Sequence, residues 1–526
     1  MSACRPLNRP GGTLETTFGR WAADSHPRRY HGGRSAASGL YHAPMSAPVT
    51  GATDAVVVGG GPNGLAAAIV LARAGRSVRL IEARDTLGGG CRSAELTLPG
   101  VLHDVCSAVH PLGRASPLFM ELGLERHGLE WIEPAVQIGH PLDDGPAALV
   151  RRDIDETAAS FGNADDARTY ARWMRPLSRD WLLIVDSLLG PMRPRAVLRH
   201  PFAFARFGLP SLAPAAMMAR RFRSPQARAL VAGAGAHSFL PLGAPLSGGV
   251  GLALLVSAHA VGWPISRGGS QRITDALASV LRELGGEIET GIEVRSLREL
   301  PAHRAALLDL SPRDVLAVSG QRLGGAYAAQ LRRYRHGPAA FKLDLVLDGP
   351  IPWRDPELGR AGTVHLGGRI EEVIASEAAV ARGQVHARPF VLLSQPSAFD
   401  PSRAPDGRHV VWAYCHVPNG WDGDATDRIL GQVERFAPGF RDRIVAQHVL
   451  RPANLEAYNP NYVGGDINGG LQHWAQFFTR PAVRWDPYST PDPGIFICSA
   501  STPPGGGVHG LCGLHAARSA LRWALR

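Results

Sequence analysis

Lysine is almost missing from this chain. Of 56 basic residues only Lys342 is a lysine, and the rest are arginine. A formal charge of +10 carried this way reads as coding composition rather than as a surface selected for a polyanion. The high isoelectric point alone therefore gives nucleic-acid binding little support. Cysteine is sparse as well. Cys4, Cys91, Cys106, Cys415, Cys498 and Cys512 lie far apart with no C-x-x-C pair. That spacing argues against a dithiol redox centre and against a metal site, and a reduced, intracellular protein is expected. Acid is absent from one long interval: no Asp or Glu lies between Asp186 and Asp275, where ten arginines do. Long apolar runs are lacking too. The best candidate, residues 248–265, carries His259, Gly262 and Pro264 and falls short of a comfortable span, so no transmembrane helix is expected. A secretory apolar segment is not seen either.

What is present begins at residues 54–82. An apolar run at 55–58 reads as a buried parallel strand and enters Gly59-Gly60-Gly61-Pro62-Asn63-Gly64. Small and aliphatic residues at helical spacing follow over 65–74, Gly75 closes that helix, and a second strand at 77–81 ends on Glu82. Each part has a task. Gly59 permits the tight turn, Gly61 lets backbone approach a pyrophosphate, and Gly64 lets helix pack closely on strand. The helix N-terminus, reached through Pro62 and Asn63, offers N–H groups and a positive dipole end to phosphates. Glu82 stands where a carboxylate accepts the hydroxyls of an adenosine ribose. Alone, G-x-G-x-x-G is weak; with strand, helix, strand and acid in order it marks a dinucleotide site, for FAD or NAD(P).

Around this unit the chain divides unevenly. Residues 1–50 are rich in Gly, Pro, Ser and Arg, with only Glu15 and Asp24 as acids. They read as a disordered extension or a targeting leader, and Met45 is a natural alternative start. Residues 155–265 are helical in pattern. Their arginines, including Arg193, Arg195, Arg199, Arg206, Arg220, Arg221 and Arg223, alternate with Phe202, Phe204, Phe207 and Leu209. Such a stretch suits either a cap with an apolar core side or an anionic membrane face. An amphipathic helix at 273–284 is stopped by Gly285-Gly286, and strands are expected at 287–290 and 294–297. Residues 314–325 (DVLAVSGQRLGG) read as a strand into a glycine turn, but neither spacing nor a following acid makes it a second nucleotide site. A second lobe starts with an alternating strand at 339–347, with further strands at 391–393 and 410–413. CHVPNGW (415–421) reads as a loop after a strand, and a helix is expected near 431–440. A last strand, 494–498, leads through PPGGGVHGLCG (503–513) into a closing helix at 514–525.

Three of these motifs together carry a resemblance. The fingerprint continuing to Leu87-Gly88-Gly89, the glycine–helix–glycine unit ending at Val294 and the PGGGVHGLCG terminus resemble the phytoene (carotenoid) desaturase-like FAD-dependent oxidoreductases. The resemblance implies an α/β fold: a Rossmann-type FAD-binding domain with an inserted α+β substrate lobe. The FAD domain would comprise 51–150, 263–335 and 485–526; the substrate domain with its helical cap, 151–262 and 336–484. Gly88 and Gly89 would lie along the pyrophosphate, with Arg92 neutralising it. The backbone at Val294 would bracket the adenine. Gly506, Gly507, Val508 and Gly510 would present N–H groups to the flavin edge that turns negative on reduction. HDVCSAVHP (103–111) would be a loop beside the flavin, and no metal is implied.

The function implied is oxidation of a lipophilic small molecule, with His509 and His416 as the candidates for moving a proton. In the absence of an NAD(P) site, oxygen or a quinone is the expected electron acceptor. Two other readings stay open: a carotenoid desaturase docked on a membrane through 191–223, and an FAD-holding regulatory partner of respiratory machinery. The protein would be cytoplasmic, with room for peripheral membrane contact, in a bacterium, and in the mitochondrial matrix in a eukaryote.

Overall fold

The protein, a computed structural model, is described over residues 52–190 and 194–526. The expected leader at 1–50 and Arg193 lie outside the described residues, as does the side chain of Arg195.

Five strands form a wholly parallel sheet: β1 (Thr53–Val58), β2 (Val78–Ile81), β3 (Glu287–Glu289), β4 (His303–Leu308) and β5 (Ile495–Ile497), in the order β5-β4-β1-β2-β3. The middle strands are apolar without alternation because helices cover both faces. Ala55 and Val57 of β1 pack on one side against α1 (Pro62–Arg73), α2 (Gln271–Glu283) and α3 (Leu511–Trp523). Val56 and Val58 face the other side, with Val315, Leu323 and Tyr327. Leu65, Ile69 and Leu71 are fully buried on α1; each contributes about 1.5–3 kcal/mol by leaving water. Pro62 sits in the first turn of α1, where a missing N–H costs nothing. Gly75 ends the helix at φ 74° with its N–H on the Ala72 carbonyl. The sheet, its helices and the lobe inserted before β5 are the architecture the sequence implied.

The inserted lobe is built on a seven-stranded sheet: Ile444–Leu450, Ala339–Leu347, His409–Val417, Val391–Ser394, Ala361–Leu366, Val136–His140 and Ala148–Val150, in that order. Neighbours run antiparallel except Ala361–Leu366 with Val136–His140. Because the last two strands pair here, hydrogen bonding carries residues 136–150 into this sheet. Among the helices that follow, Ile154–Ala159 packs on the edge strand Ala148–Val150, and Pro225–Ala236 on that strand and Val136–His140.

Local chemistry overrides the sequence reading in three places. Residues 312–319 form a helix, Pro312–Ser319, not a strand, because Ser311 caps it through Asp314 N–H at 3.3 Å and Pro312 opens it. Residues 294–297 are not a strand either. Ser296 Oγ accepts from Arg298 N–H and Glu299 Oε2 from Arg295 N–H, side-chain bonds that compete with a ladder. Cys415 and His416 are not in a loop: the strand continues to Val417, paired with Ala339–Leu347 along its whole length.

Candidate functional site

Two glycine turns from opposite ends of the chain meet. Gly59 has φ 106°, and a Cβ on Gly64 would lie 1.9 Å from the Gly59 carbonyl oxygen, so α1 starts hard against the end of β1. At the far end, Gly510 (φ 70°) opens α3, and a Cβ on Gly513 would lie 1.9 Å from the Asn63 carbonyl oxygen. The two helices therefore cross backbone to backbone at their first turns. Gly88 (φ 133°) and Gly89 (φ 51°) form a third turn over the first, with Gly88 N–H on the Gly60 carbonyl at 3.0 Å. A Cβ on Gly89 would meet Gly61 Cα at 3.1 Å.

Glu82 is buried at the end of β2. Its Oε2 accepts Gly60 N–H at 2.6 Å, and its Oε1 accepts Arg84 N–H at 2.9 Å. Arg92 also reaches Oε1 at 3.0 Å and donates to the Thr86 carbonyl, so it is paired to Glu82. Val294 is buried beside Val58 and Ile81, following a segment whose Ile292 N–H donates to the Glu82 carbonyl at 3.0 Å. Does this cradle fit a dinucleotide? Asn63 Oδ1 is buried with no hydrogen-bond partner, Gly61 and Gly89 bring two turns together backbone to backbone, and the Glu82 carboxylate is fixed in place. The residues fit.

The second turn is held from several sides. Gly506 approaches Asn468 so closely that a Cβ would lie 2.7 Å from its carbonyl oxygen. Gly507 lies against the ring of His509 and Leu112, and the Val508 carbonyl lies within 2.9 Å of where a Cβ on Gly113 would be. His509 is fully buried: Nδ1 accepts Leu511 N–H at 3.0 Å, and its carbonyl accepts from Ser116 Oγ at 2.7 Å. Burial lowers its pKa to about 4, against the pull of the Gly505 and Gly506 backbone. A neutral ring with Nδ1 occupied leaves the proton on Nε2.

A buried polar face of the seven-stranded sheet, which we assign as the floor of the candidate site, was not legible in the sequence. One face of the seven-stranded sheet is a plain core of Phe341, Leu343, Ala413, Cys415 and Leu393. The other, equally buried, carries Lys342, Asp344, Trp412, Tyr414, His416, His365 and His140. Lys342, the one lysine, pairs with Asp344 and lies 5.8 Å from the Trp412 ring centroid. Trp412 Nε1 donates at 2.9 Å to the carbonyl of Cys106, joining the HDVCSAVHP segment to this floor. His103 and His110 of that segment are neutral, burial lowering both to about 4. His416 Nδ1 lies 2.7 Å from Glu377 Oε2, its ring stands 3.8 Å from that of Phe239, and its Nε2 has no partner. Strand alternation predicts that His416 shares a face with Tyr414 and Trp412 once the strand's length is known. Glu377 comes from a helix, Ile370–Ala381, and had no signal at all. No group of acidic, histidine and cysteine side chains suited to a metal occurs among the described residues.

Comparison with known proteins extends this geometry. The model for an NAD(P)-binding Rossmann-like domain matches residues 57–122. Pyridine nucleotide-disulfide oxidoreductase domain-containing protein 2 of Rattus norvegicus is 25% identical over 89% of this chain and 93% of its own. A neurosporene-forming phytoene desaturase of Rhodobacter capsulatus is 26% identical over 89% and 94%. The resemblance to phytoene desaturase-like oxidoreductases spans most of the chain. An oxidoreductase structure from Methanosarcina mazei shares the fold, with a TM-score of 0.56 at 16% identity over 89% of this chain and 100% of that one. The name of the rat relative speaks of disulfides, yet the five described cysteines here are all free and buried.

Proposed function

We propose that the protein is an FAD-dependent oxidoreductase that dehydrogenates a lipophilic small molecule and passes the electrons to oxygen or a quinone. The observation that supports this is the crossing of α1 and α3, which brings together two glycine turns from opposite ends of the chain, one of them held by the fixed acid Glu82. Gly59, Gly61, Asn63, Gly64, Gly88 and Gly89 hold the diphosphate, Glu82 the ribose, with Arg92 pinning Glu82; the backbone at Val294 flanks the adenine. Gly506, Gly507, Val508 and Gly510 receive the ring end, where α3's N-terminus favours added negative charge. Bound FAD supplies a two-electron acceptor.

The chain's own residues supply orientation and a proton acceptor. Phe239, Trp412 and Tyr414 give the floor an apolar, aromatic surface. A C–H leaving as hydride leaves a proton to be taken from the adjacent carbon, and His416 is the group we assign to it. Glu377 holds its Nδ1 and offsets the imidazolium charge, while Nε2 stays open. His509, with Nδ1 committed to Leu511, keeps the turn in shape. The test is direct. Purified protein should show a flavin spectrum, and after anaerobic photoreduction, mixing with oxygen or a quinone should reoxidise it quickly. A flavin inert to both would favour the regulatory reading.

One observation supports substrate delivery from a membrane. Phe202 and Leu209, on the helix Pro201–Ser211, are 77% and 71% exposed, while Ala203 and Phe207 on its other side are buried. Leu198, Leu212 and Met217, close to this helix in the chain, are exposed as well. The arginines beside it are partly answered in space: Asp180 lies 3.8 Å from Arg206 and Asp165 3.5 Å from Arg223. No described helix is long and apolar enough to cross a membrane. A peripheral contact through this surface is the form such delivery takes.

A further inference from the structure

The N-terminal turn of α1 already faces an acid. Asp309 directly follows β4, with its own N–H on the Val58 carbonyl at 2.8 Å, and it is buried. Its Oδ2 accepts Gly64 N–H at 3.0 Å. The same oxygen lies 3.1 Å from where a Cβ on Gly61 would be. A carboxyl oxygen thus sits where a Gly61 side chain would point, against the turn assigned above to the diphosphate. An ionised Asp309 there would put two anions on one helix N-terminus, whose dipole amounts to roughly half a charge.

The groups around Asp309 offer little relief. Glu82 faces it from the end of β2, Cys498 from the end of β5 and Cys512 from α3. Asn461 Nδ2 donates to the Asp309 backbone carbonyl, not to the carboxyl. Arg92 is engaged with Glu82 and the Thr86 carbonyl. Among the described residues no ion pair is formed by Asp309.

We propose that Asp309 meets the diphosphate as a neutral carboxylic acid that donates a hydrogen bond to a phosphate oxygen, so that cofactor binding takes up one proton. The inference rests on the FAD reading and concerns this chain's residue alone. Burial raises the Asp309 carboxyl to about 7 and neighbouring Glu82 raises it too, against the lowering by Gly64 N–H. An adjacent diphosphate pushes it higher still. The thiols do not titrate nearby: burial takes Cys512 to about 11 and Cys498 well above its usual value. The sign follows. A group whose pKa is higher in the complex favours binding fully below the free value. That advantage is lost as pH rises through the interval between the two, by up to about tenfold in affinity per pH unit.

Full-length protein, as purified with its flavin, is diluted into weak buffer and FAD release is followed by the return of flavin fluorescence from about pH 6 to about pH 9. A pH indicator reports proton release in the same experiment. We expect affinity to fall roughly tenfold per pH unit above neutrality, with close to one proton freed per FAD. In Asp309→Asn, which keeps an acceptor for Gly64 N–H and a donor for phosphate, affinity becomes flat and no proton is freed. A flat wild-type profile, release without a proton, or the same slope in Asp309→Asn overturns the proposal. The wild-type measurements stand alone if the variant does not fold. Failure to hold FAD at any pH overturns the cofactor reading as well, whereas FAD held with a flat profile overturns only this inference.

Discussion

Gly61 and Gly64 belong to one motif but have different reasons for being glycine. A methyl on Gly64 would strike the Gly59 carbonyl oxygen at 1.9 Å, inside the protein's own backbone. A methyl on Gly61 meets only Asp309 Oδ2 at 3.1 Å and Gly89 Cα at 3.8 Å, a side-chain end and a neighbouring turn on the side assigned to the ligand. Gly64→Ala should therefore fail to accumulate as folded protein or lose several degrees in Tm. Gly61→Ala should fold, with a cofactor-free Tm close to that of wild type, and lose at least about tenfold in FAD affinity, or roughly 1.4 kcal/mol. Flavin fluorescence titration beside thermal melts separates the two, and equal Tm losses would undo the distinction. The place of Glu82, at the end of β2 against the glycine turn, was legible at this scale because the acid follows the turn at a set distance along a β–α–β unit. Glu377 was not, because its partner His416 lies on a different element and no spacing relates them. Glu377→Ala should leave the buried His416 Nδ1 without its partner, costing about 1–3 kcal/mol of stability in denaturant melts. Flavin reduction should slow in His416→Asn at unchanged FAD content, while a normal rate would remove His416 from the reaction.

Elements were legible where periodicity and punctuation agreed. The α2 helix was expected from Ile273, Leu277, Val280, Leu281 and Leu284, of which the first four are buried and Leu284, at the helix end, is exposed, and from Gly285 at φ 78°. Helix Pro312–Ser319 was missed because its apolar residues mimic a strand, and its signal was the cap Ser311-Pro312, which hydropathy does not register. The cap helices pose a further difficulty, since periodicity cannot tell a face that meets a core from one that meets a lipid. In Pro201–Ser211 both faces are apolar and only one is covered. Phe202→Ser with Leu209→Ser should reduce sedimentation with anionic vesicles severalfold without changing Tm by more than a degree or two, because neither side chain is buried. Replacing Arg220, Arg221 and Arg223 with Ser should weaken the same binding chiefly at low salt, where surface charge is least screened. Unchanged sedimentation in both variants would remove the membrane from the account.

At the scale of the whole molecule the two lobes are joined by a buried ion cluster that no sequence pattern announced. Arg403, fully buried, reaches Asp104 Oδ2 and Asp400 Oδ2 at 3.0 Å each and the Ser266 carbonyl at 3.2 Å. Asp104 comes from the segment beside the cofactor site and also accepts from Ser93 Oγ and Ser270 N–H; Asp400 accepts Gly268 N–H at 2.7 Å. Burial alone would raise both carboxyls, but Arg403 and these hydrogen bonds hold both below the usual value. Their contribution is therefore complete at neutral pH and is lost only as acid passes below the ordinary carboxylate range, about pH 4. Removing the arginine reverses the sign. In Arg403→Met two buried carboxylates face each other without a cation, at a cost of about 3–5 kcal/mol. Their folded-state pKa values then lie above the unfolded ones, so this pair by itself takes up protons in the folded form and its penalty eases as pH falls toward about 5. Asp309, raised in both proteins, and the buried histidines His103, His110 and His509, lowered in both, tilt both curves alike, so the informative quantity is the difference between them. Chemical denaturation at about pH 7 and about pH 5 should show a variant deficit that shrinks with acid. A deficit that is constant or grows would mean that packing of the arginine, not its charge, joins the lobes.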